Sequence, residues 1–250
     1  MNLLAFDTST EMMSVAVQRS GAGTGQAPRT WQHTALGGAL TSAHLIPVIQ
    51  RLMTQAGLPF DQLDAIALGC GPGSFTGLRT ACAVAQGLAF GAKVKVLPIA
   101  TLLAVAEEAR WQQAAEWARY QVTALLDARM DEIYAGSYVF ESGQWSQIGG
   151  YSLIHPEALE REPDFSQAGN VFATYGARLP APFASSLVVP MVHQADVLPT
   201  ASALLRLAPA LLAAGDAVSA DQALPIYIRD KVAKTTLERT AEKAAEKAAL

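Results

Sequence analysis

Residues that carry most enzymatic chemistry are scarce in this chain. It has four histidines in 250 residues, His33, His44, His155 and His193, and no two of them stand four apart. There is no HExxH stretch and no Cys/His cluster, so no linear metal motif exists and no metal or other cofactor is expected. The two cysteines, Cys70 and Cys82, make neither a CxxC pair nor a disulfide framework, which fits a reducing compartment. A G-x-S-x-G elbow is also missing, leaving nucleophilic hydrolysis without visible machinery. Lys and Arg total 18 against 22 Asp and Glu, a net charge of −4, with no dense basic run. A chain that gripped RNA phosphates unaided would need such a run, so contact with RNA is expected only through another protein. No apolar stretch reaches the roughly 18 residues that a membrane span needs. The opening MNLLAFDTST has no basic region and meets Asp7 too early for a signal peptide, so a cytoplasmic protein is expected.

What is abundant is apolar. Hydrophobic residues make up 51% and charged residues 16% of the chain. That charged share is low for a monomer that must cover its whole surface, and it points to apolar surface covered by a partner. A high alanine content produces the same statistic.

Periodicity divides the chain into two similar halves. Leu3–Phe6 reads as a buried strand ending at Asp7, followed by a polar turn and an alternating strand over Ser14–Gln18. Gly-rich residues 20–28 read as a loop, and residues 30–36 as a third strand. Ser42 is the expected N-cap of a helix to about Ala56, with Leu45, Ile49, Leu52, Met53 and Ala56 on one side and Gly57 as its stop. A strand over residues 64–68, a glycine loop, a helix to about Phe90, a strand over 94–97 and a helix over about 100–117 complete the half. The second half repeats the start: a strand over 122–126 ends at Asp127, a turn follows, and strands run over 132–140 and 147–154. A weak strand near residues 170–173 and a helix over about 200–214 come next. The order predicts an α/β fold of two ribonuclease H-like lobes of the actin/sugar-kinase/Hsp70 type. Residues 1–100 with the helix at about 200–215 form the first lobe, 101–230 a degenerate second lobe, and 231–250 a helical or frayed tail.

Two local features invite a chemical reading. The loop Gly71-Pro72-Gly73-Ser74 opens the helix that follows, but it is neither G-x-x-x-x-G-K-[ST] nor G-x-G-x-x-G. Its amides would suit an anion at a helix start, or its glycines would let helix and strand pack closely. Asp7-Thr8-Ser9-Thr10 resembles the first phosphate loop of the superfamily, with Thr8 where glycine is common. Asp7, Thr8, Ser9, Gly71, Gly73 and Ser74 are therefore the candidate residues of a degenerate nucleotide site. An Asp after a strand is also an ordinary turn-maker. The helix after the loop has Arg79 as its one charged residue between Phe75 and Phe90. A helix this apolar must be covered nearly all round, by another helix of the same chain or, the favoured reading, by one of a partner.

The blocks LLAFDTSTEMMSVAV, His44-Leu45-Ile46-Pro47, DAIALGCGPGSFTGLR, ALLDARMDEIYAGSY and LPIYIRDKVA run in order over most of the chain. In these blocks the sequence resembles the TsaB (YeaZ) family, for which GPGSFTGLR is highly specific. The resemblance implies a non-catalytic scaffold that pairs with TsaD, a paralogue of the same fold, and with TsaE, an ATPase. Together they transfer threonylcarbamoyl from threonylcarbamoyl-AMP to the adenosine 3′ of the anticodon in tRNAs reading codons that begin with A. TsaD holds a metal through an HxxxH helix, and the matching helix here keeps only His44. The resemblance also implies pairing through two first-lobe helices, with homodimers through the same surface when the chain is alone. On that basis His44, Leu45, Val48, Leu52, Thr76, Arg79, Thr80, Ala83, Gln86 and Gly87 are the expected interface. An autonomous ATPase or small-molecule kinase using Asp7, the glycine loop and Asp127 is the alternative, and a metallopeptidase ranks last.

Overall fold

A computed structural model describes residues 1–21, 26–180 and 194–229. Residues 22–25 of the Gly-rich insert and all of the charged tail lie outside the described residues. The first half builds a five-stranded sheet from β1 (Leu3–Asp7), β2 (Met12–Arg19), β3 (Arg29–Leu36), β4 (Ala65–Gly69) and β5 (Lys95–Ile99). Helix α1 (Thr41–Ala56) lies between β3 and β4, and α2 (Phe75–Ala92) between β4 and β5. Helix α3 (Thr101–Gln113) leads into the second half. There β6 (Arg119–Arg129), β7 (Glu132–Glu141), β8 (Gln144–Ile154), β9 (Ser166–Gly169) and β10 (Gln194–Asp196) form a second sheet. The one-turn helix α4 (Phe172–Tyr175) follows β9, and α5 (Ala201–Ala214) follows β10.

The duplication is written in the strand order. The first sheet runs β3-β2-β1-β4-β5 and the second, read from its other edge, β8-β7-β6-β9-β10. Directions match as well. In each sheet the first three strands are antiparallel neighbours, and the last two join them in parallel. The chain therefore has the duplicated, two-lobed α/β architecture.

The alternation of side chains along a strand sorts the first sheet's two faces. Leu4, Phe6, Val15, Val17, Ile66 and Leu68 pack under α1 and α2. Leu3, Ala5, Ala16, Ala65 and Ala67 meet α5 on the other face. Small residues on that second face let α5 approach closely, and α5 carries Leu204, Leu205 and Leu207 to fill the space. Helix α1 stops at Gly57, whose φ of 58° frees its amide to bond the carbonyls of Met53 and Thr54.

A buried ionic knot ties the lobes at α3. Glu107 accepts from Arg110, from Arg206 of α5 at 2.9 Å and from the indole of Trp145 on β8 at 3.0 Å. Glu108 accepts from Arg206 and from Thr200, the N-cap of α5. Each carboxylate is thus fully engaged by donors, as burial of charge requires.

Two local expectations are corrected. Ser42 is not the cap of α1, because a 3-10 turn over Gly38–Leu40 runs directly into the helix, which starts at Thr41 without a side-chain cap. The strand expected at residues 170–173 lies at Ser166–Gly169, and Phe172–Tyr175 is helical. Ser166-Gln167-Ala168-Gly169 has no apolar pattern to announce it, yet it is buried by parallel pairing with β6.

Candidate functional site

Two regions gather the residues singled out by sequence: the cleft between the lobes and the outer face of α2. The cleft holds a cavity of about 440 Å³, lined among others by Ser9, Gly73, Ser74, Asp127, Arg129 and Tyr227. Asp7, Thr8 and Gly71 do not line it. Asp7 is buried, and its Oδ1 accepts both the amide and the hydroxyl of Ser9, at 2.8 and 2.6 Å. A Cβ added to Gly69 would stand 1.7 Å from Asp7 Oδ2, so the carboxylate fills the hollow that this glycine leaves. Burial pushes the Asp7 carboxyl up to about 6, against the lowering effect of its bonds from Ser9 and Thr101.

The glycine loop resolves into close packing. A Cβ on Gly77 would meet Thr8 O at 1.8 Å, and one on Gly73 would meet Ser9 O at 2.6 Å. The Thr8 hydroxyl donates to Gly77 O at 2.8 Å, pinning the first turn of α2 to the turn after β1. Thr8 is thus a tether where a phosphate loop would have glycine. Three amides here are used: Gly71 donates to Thr101 Oγ1, Ser74 to Ser9 O, and Gly77 to the capping hydroxyl of Ser74.

The cations at the cleft are also engaged. Arg129 pairs with Asp127 at 3.0 Å, and Arg229 pairs with Glu132. A polyphosphate with its metal, which the fold type implies, does not fit this set of residues. Its carboxylate is sealed, the Gly71 and Ser74 amides are occupied, and its arginines are paired. Among the described residues no three His, Cys, Asp or Glu side chains converge as metal ligands. Burial raises the thiols of Cys70 and Cys82 to about 12 and 11, so neither is a ready nucleophile.

The outer helix face is different in kind. Helices α1 and α2 lie side by side on one face of the first sheet. Helix α2 turns Leu78, Ala81, Cys82, Ala85 and Ala89 inward. Thr76, Arg79, Ala83, Gly87 and Phe90 are exposed, and Thr80 is half-buried. Phe90 is 82% exposed, and nothing lies within 4 Å of a Cβ built on Gly87 or Gly91. Toward the helix's C-terminal end, at Ala83, Gly87 and Phe90, this strip is uncharged and exposed.

Three of the expected interface residues belong elsewhere. Leu45, Val48 and Leu52 are buried in the core of their own lobe and cannot meet a partner. On α1 the exposed positions include His44, Ile46, Pro47, Gln50, Arg51 and Thr54. The helical period offered two apolar strips on α1, and the sheet takes the wider one. Gln86 is half-buried and donates to Ala223 O at 3.1 Å, so it holds the chain's own C-terminal region. Arg79 is exposed but already stacks on Phe75 and donates to the Tyr227 hydroxyl at 3.1 Å. The segment from Ala223 to Arg229 has no periodicity, and the sequence marks it only as part of the LPIYIRDKVA block of the family resemblance.

The comparisons with known proteins agree with the geometry. The family model described as TsaD, tRNA N6-adenosine threonylcarbamoyltransferase, matches residues 39–237. The tRNA threonylcarbamoyladenosine biosynthesis protein TsaB of Haemophilus influenzae is 34% identical over 241 residues, covering 93% of this chain and 95% of its own. TsaB of Escherichia coli is 32% identical over 239 residues, covering 93% and 96%. The solved structure of YeaZ from Pseudomonas aeruginosa superposes with a TM-score of 0.77 at 36% identity, covering 91% of this chain and 99% of that one. No helix among the described residues is long and apolar enough to cross a membrane. The two-lobed fold, the glycine loop used for packing and the full-length relatives together make this chain a member of the TsaB (YeaZ) family, whose proteins function in tRNA threonylcarbamoyladenosine biosynthesis.

Proposed function

We propose that this chain is a non-catalytic subunit that docks a TsaD-like paralogue on the exposed faces of α1 and α2. In that reading the paralogue carries out threonylcarbamoyl transfer from threonylcarbamoyl-AMP to the adenosine 3′ of the anticodon in tRNAs reading codons that begin with A. A TsaE-like ATPase serves the same complex, and tRNA meets this chain only indirectly. One observation carries the reading: the strip Thr76, Thr80, Ala83, Gly87 and Phe90 ends in a phenylalanine that is 82% exposed. Small side chains let a second helix approach closely, and a bare aromatic beside them supplies an anchor of the kind that interfaces bury. In isolation a second copy of the chain takes the same strip, giving a homodimer.

The cleft supports the non-catalytic half of the reading. Asp7 is sealed behind Ser9 and Gly69, and the amides of Gly71 and Ser74 already have acceptors. Reconstitution tests the whole. Paralogue, ATPase and this chain together are expected to modify tRNA, and omitting this chain is expected to abolish the reaction. Modification by this chain alone would overturn the reading.

A further inference from the structure

After α5 the chain runs along the first lobe and then crosses to the second. Val218 pairs with Val96 of β5 through two backbone bonds of 3.0 and 2.8 Å. Ala223 is buried and held by Gln86 of α2. The Ile226 amide donates to Cys70 O at 2.7 Å, and its carbonyl lies where a side chain on Gly71 would stand. Tyr227 stacks on Phe75 with ring centroids 5.2 Å apart and takes the hydrogen bond from Arg79. The next two residues belong to the other lobe. Ile228 packs against the core beneath β6 and β7. Arg229 donates to Arg129 O at 3.3 Å and pairs with Glu132.

What Arg229 grips is a strained turn. Arg129, Met130 and Asp131 have φ values of 61°, 55° and 65°, three successive non-glycine residues in the left-handed region. Such a run is unfavourable and persists only when its surroundings hold it. Arg229 supplies one hold, and Arg178 supplies another by pairing with Asp131 on the far side. Residues 226–229 also form one wall of the cleft cavity.

We propose that Ala223–Arg229 is a strap that fixes the angle between the lobes, linking the Phe75–Arg79 end of α2 to the β6–β7 turn of the second lobe. The strap bridges the two lobes by side chains of this chain alone. Through Arg79 and Tyr227 it also starts on the exposed face of α2, so contact there is transmitted to the cleft. The clamp itself does not depend on the partner reading.

The discriminating variant is Tyr227→Ala, which removes a contact made with the first lobe only. Spin labels on exposed thiols introduced as Asp61→Cys and Gln147→Cys report the distance between lobes, since both native cysteines are buried. Hydrogen exchange at residues 129–132 reports the turn. In the full chain, Tyr227→Ala and Arg229→Gln are each expected to broaden the distance distribution and to speed exchange at the turn roughly tenfold, the loss of one or two charged-group bonds. Should Tyr227→Ala fail to fold by circular dichroism, Tyr227→Leu is read in its place. The proposal is overturned if a folded Tyr227 variant leaves both the distance and the turn's exchange unchanged.

Discussion

Asp7 and Asp127 stand at the same place in two copies of one fold, and they end differently. Each stands at or near the end of the first strand of its sheet, and each makes the same local turn. Asp7 Oδ1 accepts the amide of Ser9, and Asp127 Oδ1 accepts the amide of Arg129, both at 2.8 Å. The divergence lies in the second oxygen. Asp7 Oδ2 is walled in by Gly69 and has only a long contact of 3.5 Å from Thr101. Asp127 Oδ2 pairs with Arg129, whose side chain reaches into solvent. A carboxylate at this place is thus a turn-maker first in both lobes. Whether it carries charge comfortably depends on what the neighbouring strand leaves open.

The strand beside each aspartate ends in glycine, and this is where the comparison is easiest to break. A Cβ on Gly69 meets Asp7 at 1.7 Å, and one on Gly169 meets Leu125 O at 1.6 Å. Gly69→Ala and Gly169→Ala are each expected to cost about 3 kcal/mol or more, read by chemical denaturation. A mild loss at Gly69 alone would mean that Asp7 has room to move.

The next effect separates the two carboxylates. Asp7 is raised from 3.8 to about 6 by burial, so the folded state holds its proton more tightly than the unfolded chain. Its contribution therefore favours the fold below about pH 4 and is lost as pH rises to 6. Above that the cost of the buried charge is constant. Asp7→Asn is expected to raise stability at pH 7 by up to about 3 kcal/mol and to flatten its pH dependence between 4 and 6. Thermal melts across that range check both. The smallest effect belongs to Asp127→Asn, which keeps the turn and loses an ion pair with an exposed arginine. It is expected to cost less than about 1 kcal/mol in chemical denaturation.

Much of this was legible in the sequence because the repeated unit is short and patterned. Apolar strand, aspartate, polar turn and alternating strand occur at both Leu3–Val17 and Val122–Phe140, and both became neighbouring antiparallel strands. The glycine loop was legible only as two alternatives, since tight packing and anion binding ask for the same residues. The structure decides through Thr8, which has its hydroxyl on Gly77 O. Facing was the weakest point. Leu45, Val48 and Leu52 have the right character for an interface, and nothing local distinguishes a sheet from a partner as their cover. The strap was invisible because Tyr227 and Arg229 act through contacts with residues about 100 to 150 positions away.

The two sides of α2 give the most direct test of the central claim. Ala85 is fully buried, so a charge there is expected to unfold the lobe and says nothing about pairing. Ala83 and Gly87 are exposed, and a charge at either is expected to leave the melting temperature within a degree or two. The decisive measurement is titration calorimetry of the TsaD-like paralogue against wild type, Ala83→Glu and Gly87→Glu. The account predicts one-to-one binding by wild type and at least a hundredfold loss in either variant, as expected for a charge at a close-packed helix contact. Unchanged affinity in folded Ala83→Glu and Gly87→Glu would contradict it.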